Sequence, residues 1–80
     1  MGNTAMAAAG SLADTTYEIT FYDRRDRVDS VQQYNDSKEA WDMFRLYDEP
    51  DSADLYSCIT LTQVDWRSGS KGSLLEILFF

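Results

Sequence analysis

The side chains on which most enzymes depend are scarce in this chain. It has no histidine, and its one cysteine is Cys58. Histidine is the commonest general base and the usual activator of a nucleophile, so its absence removes the ordinary route to acid–base or covalent catalysis. Cys58 stands between Ser57 and Ile59 with no basic neighbour to activate it. We therefore predict a protein that is not an enzyme, has no catalytic residue and needs no cofactor.

Carboxylates are the abundant chemical group. Fourteen Asp and Glu residues face seven Lys and Arg, for a net charge of -7. Four acids fall within residues 48–54, where their oxygens would suit calcium or magnesium, but the spacing lacks the alternate acids, central glycine and terminal glutamate of an EF-hand loop. Structural zinc would need thiols or imidazoles that the chain does not have. We predict a solvated loop and no metal site.

The acids are unevenly spread along the chain. Residues 36–54 carry seven of them against Lys38 and Arg45. Acids three or four residues apart on a helix lie about 4.5–6 Å apart along its axis, close to the roughly 3.4 Å between phosphates of one DNA strand. Such a surface can occupy a basic protein surface built for nucleic acid; the alternative is that it only keeps the protein soluble. We call these residues the acidic edge: Asp36, Glu39, Asp42, Asp48, Glu49, Asp51 and Asp54.

Direct binding of nucleic acid or membrane is not predicted. The net charge repels phosphate, and the stacking platforms that bind single strands come with a basic groove. The one basic cluster, Arg24, Arg25 and Arg27, is diluted by Asp23 and Asp26. No stretch approaches the roughly 18 apolar residues of a membrane helix. A single cysteine and the lack of a basic, apolar leader predict a cytoplasmic protein.

Four strands and one helix are predicted to position these residues. Alternation over residues 16–22 indicates a strand, and a charged tip leads to a second strand over 28–34, whose poor alternation predicts a bulge or an edge position. Two further strands follow over 55–66 and 73–80.

Between these pairs of strands lies the helix. Asp36 or Ser37 caps its start, Glu39 completes a capping box, and Pro50 ends it near residue 47 or 48. Its apolar positions recur at i, i+3, i+4 and i+7, namely Ala40, Met43, Phe44 and Tyr47.

The order strand–strand–helix–strand–strand predicts a small α+β domain of ββαββ type. It has a four-stranded antiparallel sheet with the helix packed on one face. Residues 15–80 form this single domain. Residues 1–14 are rich in alanine and show no amphipathic periodicity, so we predict that they form a flexible tail.

One helix covers one face of such a sheet, so the other face should be open. We assign Leu55, Leu75, Ile77 and Phe79 to the helix side; a slip of one residue would exchange the two faces. The open face is then too apolar for solvent and predicts an interface. Its occupant can be a second copy, giving a homodimer, a different protein, or the tail and loops. The predicted interface residues are Tyr22, Tyr56, Cys58, Val64, Trp66, Leu78 and Phe80.

In size, acidity and helix-plus-sheet order, the chain resembles the accessory proteins of phages and mobile elements, among them anti-CRISPR inhibitors of host nucleases. The resemblance rests on composition and architecture and assigns a role to no residue. The resemblance implies a protein-binding inhibitor, and the charge pattern adds the hypothesis that its acidic edge blocks the nucleic-acid-binding surface of a host protein. The alternative is a homodimeric structural or regulatory module that uses its apolar sheet face.

Overall fold

The structure, a computed structural model, describes residues 14–80. The first thirteen residues of the predicted tail lie outside the described residues. The rest folds as four antiparallel strands in one sheet, in the order β2-β1-β3-β4, with one main helix, as predicted. The elements are β1 (Thr15–Asp23), β2 (Val28–Tyr34), α1 (Ser37–Leu46), α2 (Ser52–Leu55), β3 (Tyr56–Asp65), a 3₁₀ turn (Trp66–Ser68) and β4 (Lys71–Phe79).

The core lies between α1 and the two central strands. β1 and β3 supply Ile19, Phe21, Ile59 and Leu61, all buried, and α1 contacts both of these strands and β2. β-Branched and aromatic residues at alternate positions fit this half-covered surface. β2 and β4 form the edges of the sheet, and all of their residues are exposed or partly exposed.

The predicted Asp36 cap is present at the start of the helix, but within residues 14–80 the Glu39 side chain makes no return bond to Asp36, so the capping box is half formed. The Asp36 carboxylate accepts a 2.9 Å hydrogen bond from the Glu39 N–H, which satisfies one free donor of the first turn. Ala40 and Phe44 are buried. Tyr47 ends the helix, and its ring meets the ring of Phe21 edge-on with centroids 4.8 Å apart.

The β1–β2 hairpin turns on Asp23 and Asp26. The Asp23 carboxylate accepts the backbone N–H groups of Arg25 at 2.8 Å and Arg27 at 3.1 Å, and Asp26 takes a left-handed φ of 63°. The bonds from Arg27 and Arg25 hold the pKa of Asp23 below its ordinary value. The register then shifts at Asp29, so that β2 is both bulged and at an edge, as its pattern predicted.

The segment after Pro50 differs from the prediction. The sequence predicts that a loop leads directly into a strand at Leu55. Instead, the N–H groups of Ser52, Ala53 and Asp54 bond to carbonyls three residues earlier and wind the segment into a turn. This turn leads into the short helix α2, where the Tyr56 N–H bonds to the Ser52 carbonyl four residues earlier. Leu55 ends α2 with 61% of its surface exposed, so its assignment to the helix side of the sheet is wrong. Trp66, predicted as strand, begins the 3₁₀ turn.

The predicted phase of the last strand is also wrong beyond Leu75. Glu76 pairs with Leu61 and Leu74 with Thr62, which leaves Leu75 as an extra residue in β4. This bulge reverses the alternation of every later side chain.

Two predicted interface residues at the end of the chain, Leu78 of β4 and the following Phe80, therefore pack against the core on the α1 side. Ile77 and Phe79, assigned to the α1 side, instead pair with Thr60 and Cys58 on the other face. The third misplaced interface residue is Tyr56 at the start of β3, whose ring lies 5.1 Å from that of Phe21.

Candidate protein-binding surfaces

The face of the sheet opposite α1 is called the open sheet face here. Its centre is a group of threonines, and apolar side chains flank them on both edge strands. Val31 on β2, and Leu74 and Phe79 on β4, are 51%, 56% and 77% exposed. The residues that pair in register on this face are Thr16, Glu18, Thr20, Tyr22, Val28, Val31, Gln33, Cys58, Thr60, Thr62, Val64, Gly72, Leu74, Ile77 and Phe79.

Four of the seven predicted interface residues belong to this face. Tyr22 and Cys58 are cross-strand partners near one end. Val64 pairs with Thr16 near the other end and is 6% exposed, so it offers little surface to a partner.

Trp66, 43% exposed, closes that end. Its indole N–H donates to the Thr16 hydroxyl at 2.8 Å. The same hydroxyl accepts a 3.3 Å bond from the side-chain amide of Gln33. Thr16 is thereby buried to 2% exposure with its oxygen satisfied.

Glu18 was not among the predicted site residues, yet it lies in the middle of the open sheet face. It pairs with Gln33 on one side and Thr62 on the other. No residue of the described part of the chain donates a hydrogen bond to its carboxylate or forms an ion pair with it. The signal was present in the sequence, because Glu18 is in phase with Thr16, Thr20 and Tyr22 on β1.

The helical half of the acidic edge is partly neutralised. Asp36 caps α1, and Asp42 lies 2.8 Å from Lys38 Nζ and 3.4 Å from Arg45 Nη1. The hydrogen bond from Lys38 lowers the pKa of Asp42, and the same contact raises the pKa of Lys38. Asp36, Glu39 and Asp42 line one shallow surface depression together with Lys38. Glu39 is the helical acid whose carboxylate makes no contact of this kind within residues 14–80.

The other half of the acidic edge has a higher density of carboxylates, and these form no ion pairs within the described residues. We call Asp48, Glu49, Asp51 and Asp54 the acidic loop; all four are exposed, and none forms an ion pair with another described residue. Residues 36–46 carry three acids and two bases, whereas residues 47–54 carry four acids and no base. The charge of the edge therefore resides in the loop.

Hydrogen bonds hold the acidic loop in place. The buried Ser52 hydroxyl donates to the Tyr47 carbonyl at 2.7 Å. From the β1–β2 hairpin, Arg24 Nη1 donates to the carbonyl oxygens of Ala53 at 2.6 Å and Tyr56 at 3.4 Å. A cation at the last carbonyls of a helical turn is favourable. The sequence presented Arg24 as part of a charged tip, but the fold uses it as a brace for the loop.

Within residues 14–80, no three acids or thiols converge as metal ligands, and no helix there is long and apolar enough to cross a bilayer. The carboxylates of the acidic edge are spread along the protein surface.

No family model, curated protein or solved structure gives a significant match to this chain.

Proposed function

We propose that this protein is a non-enzymatic, protein-binding inhibitor whose acidic loop occupies a basic, nucleic-acid-binding surface of another protein. The helical acids extend the same surface, with Glu39 as the main contributor. By analogy with the accessory proteins that it resembles in size and composition, the partner would be a nucleic-acid-binding protein of a host cell, met in the cytoplasm.

One observation carries the proposal: four exposed carboxylates, none of which forms an ion pair within the described residues, are held on a braced segment. Like charges within seven residues repel each other, so an unbraced loop would spread them apart. The bonds from Ser52 and Arg24 oppose this. Carboxylates on a segment that is already ordered lose less conformational entropy when a partner binds. A larger share of their electrostatic attraction to the partner therefore contributes to the binding free energy. Exposed charges also raise the rate of encounter with a basic partner.

The alternative, a homodimer that uses the open sheet face, stays a prediction. The exposed side chains of Val31, Leu74 and Phe79 favour some partner for that face. They do not by themselves distinguish a second copy from another protein.

The test uses two charge-matched variants on immobilised protein. Asp48→Asn with Glu49→Gln neutralises half of the acidic loop, and Asp26→Asn with Asp29→Asn removes the same charge from the β1–β2 hairpin. Proteins of a source-cell extract that bind heparin are applied, and the retained proteins are purified and titrated individually. We expect roughly fivefold to tenfold weaker binding for the loop variant and no change for the control.

Two further measurements decide whether the surface acts as a nucleic-acid mimic. Binding should weaken as salt rises, and duplex DNA should compete with the wild-type protein for the purified partner. Equal losses in both variants, binding that salt does not affect, or simultaneous binding of DNA and this protein would contradict the proposal.

A further inference from the structure

We propose that the open sheet face is a second binding surface, which takes an arginine side chain presented within an apolar patch of a partner protein. Glu18 receives the guanidinium, and the exposed apolar residues of β2 and β4 pack around it. This surface lies on the opposite side of the sheet from α1 and is independent of the acidic loop.

The charge distribution of the face carries the inference. Of the paired residues on the open sheet face in the described part of the chain, Glu18 alone carries a full charge at neutral pH. Thr20, Thr62 and Gln33 surround it, and Val31, Leu74 and Phe79 lie farther out and are exposed. An uncharged, apolar cover over this face would leave the carboxylate buried without a counter-charge, which is strongly unfavourable. The occupant must therefore bring a cation.

This requirement separates the three possible occupants. A second copy in face-to-face contact would bring a second Glu18 and no cation from the paired residues of its own face. Residues 1–13 of this chain contain neither lysine nor arginine. A different protein that presents a basic side chain satisfies the requirement without conflict.

Arginine fits the surroundings of Glu18 better than lysine does. Its planar group has five donors and pairs with a carboxylate through two parallel bonds. The hydroxyl of Thr62 and the side-chain carbonyl of Gln33 are the neighbouring acceptors for the remaining donors. The amide nitrogen of Gln33 donates to the Thr16 hydroxyl at 3.3 Å, and within the described residues it makes no hydrogen bond to the Glu18 carboxylate. A lysine ammonium has fewer donors and no planar fork.

The probe is a displayed library of short random peptides, selected against the full-length protein. We expect the selected peptides to contain arginine between apolar residues. Binding of a synthetic copy should fall by about 30-fold or more with Glu18→Gln, because removing one partner of a desolvated ion pair leaves the other unpaired. Glu76→Gln makes the same change on the α1 side of β4 and should leave affinity unchanged.

Two more variants distinguish loss of the ion pair from loss of the folded structure. Val31 is an exposed residue of β2 and a diagonal neighbour of Glu18. A lysine side chain at this position can reach the Glu18 carboxylate. Val31→Lys should therefore supply a cation from the protein itself and prevent the peptides from binding. Glu18→Arg should recover binding when the peptide arginine is changed to glutamate. Circular dichroism confirms the fold of each variant.

Several results would overturn the proposal. These are selection of no peptide, selection of peptides without a basic residue, or equal affinity of the wild-type protein and the Glu18→Gln variant. A wild-type dimer in sedimentation at high micromolar concentration that Glu18→Lys dissociates would assign the face to a second copy instead. None of these outcomes bears on the acidic loop, whose variants are tested separately.

Discussion

The guanidinium of Arg24 lies 2.6 Å from the carbonyl oxygen of Ala53, although 29 residues separate them in the chain. This bond joins the tip of the β1–β2 hairpin to the acidic loop. It places a positive charge behind a segment whose own side chains are all neutral or negative. The backbone of the loop is therefore held by a residue of another element while its four carboxylates stay exposed.

Replacing Arg24 with alanine should loosen the acidic loop without unfolding the domain. Amide exchange over residues 52–56 should become roughly three- to tenfold faster, because a charged hydrogen bond to the last carbonyls of α2 is lost. Hydrogen–deuterium exchange with mass spectrometry measures this. Arg25→Ala changes the net charge equally, and the Arg25 side chain makes no hydrogen bond or ion pair with the described chain. Equal acceleration in both variants would mean that general charge, and not the brace, controls the loop.

Replacing Thr16 with valine should destabilise the protein by about 1–3 kcal/mol. Valine keeps the shape but cannot accept the hydrogen bonds of Trp66 and Gln33, so the indole N–H loses its partner in a partly buried setting. Urea unfolding followed by Trp66 fluorescence, in a Trp41→Phe background, measures both the free energy and the exposure of the indole. Thr20→Val on the same face removes no such acceptor and should change stability little.

Two substitutions of Asp26, the left-handed residue of the hairpin, should change the free energy of unfolding in opposite directions. Asp26→Gly should raise the free energy of unfolding by up to about 0.5 kcal/mol, because glycine adopts a φ of 63° without a steric cost. Asp26→Val should lower it by about 1–2 kcal/mol, because a β-branched side chain fits this region poorly. Thermal unfolding of the two variants tests the pair. A loss of stability in both would show that the carboxylate, and not the backbone angle, is what the turn requires.

The stability of the hairpin should fall at acid pH through Asp23. The backbone N–H groups of Arg27 and Arg25 lower its pKa in the folded state from the ordinary 3.8. Ionised Asp23 therefore contributes stability that is fully present above the unfolded pKa and is lost as pH falls through the lower folded value. Between about pH 5 and pH 2, the melting temperature of the wild-type protein should fall more steeply than that of Asp23→Asn.

Asp29→Asn is the matched control for this titration. The Asp29 carboxylate accepts no hydrogen bond from the rest of residues 14–80, so this variant should retain the acid sensitivity of the wild-type protein. Parallel pH profiles for the wild-type protein and Asp23→Asn would mean that the turn does not depend on ionised Asp23.

Features that depend on neighbouring residues were determined by the sequence itself. The Asp36 cap and the apolar positions of α1 follow from side chains within a few residues of each other, and the local pattern predicted both. The concentration of acids between residues 36 and 54 is likewise a property of the sequence. The fold class followed from the order of these local elements.

Features that depend on residues far apart in the chain were decided by the tertiary structure. The extra residue Leu75 becomes visible only when β4 is paired with β3, because alternation within one strand cannot show how the partner is aligned. That one residue exchanged the faces of Ile77, Leu78, Phe79 and Phe80. Long-range contacts likewise gave Arg24 its brace on the acidic loop. The pairing of β1 with β2 and β3 left Glu18 as the one charged member among the paired residues of the open sheet face.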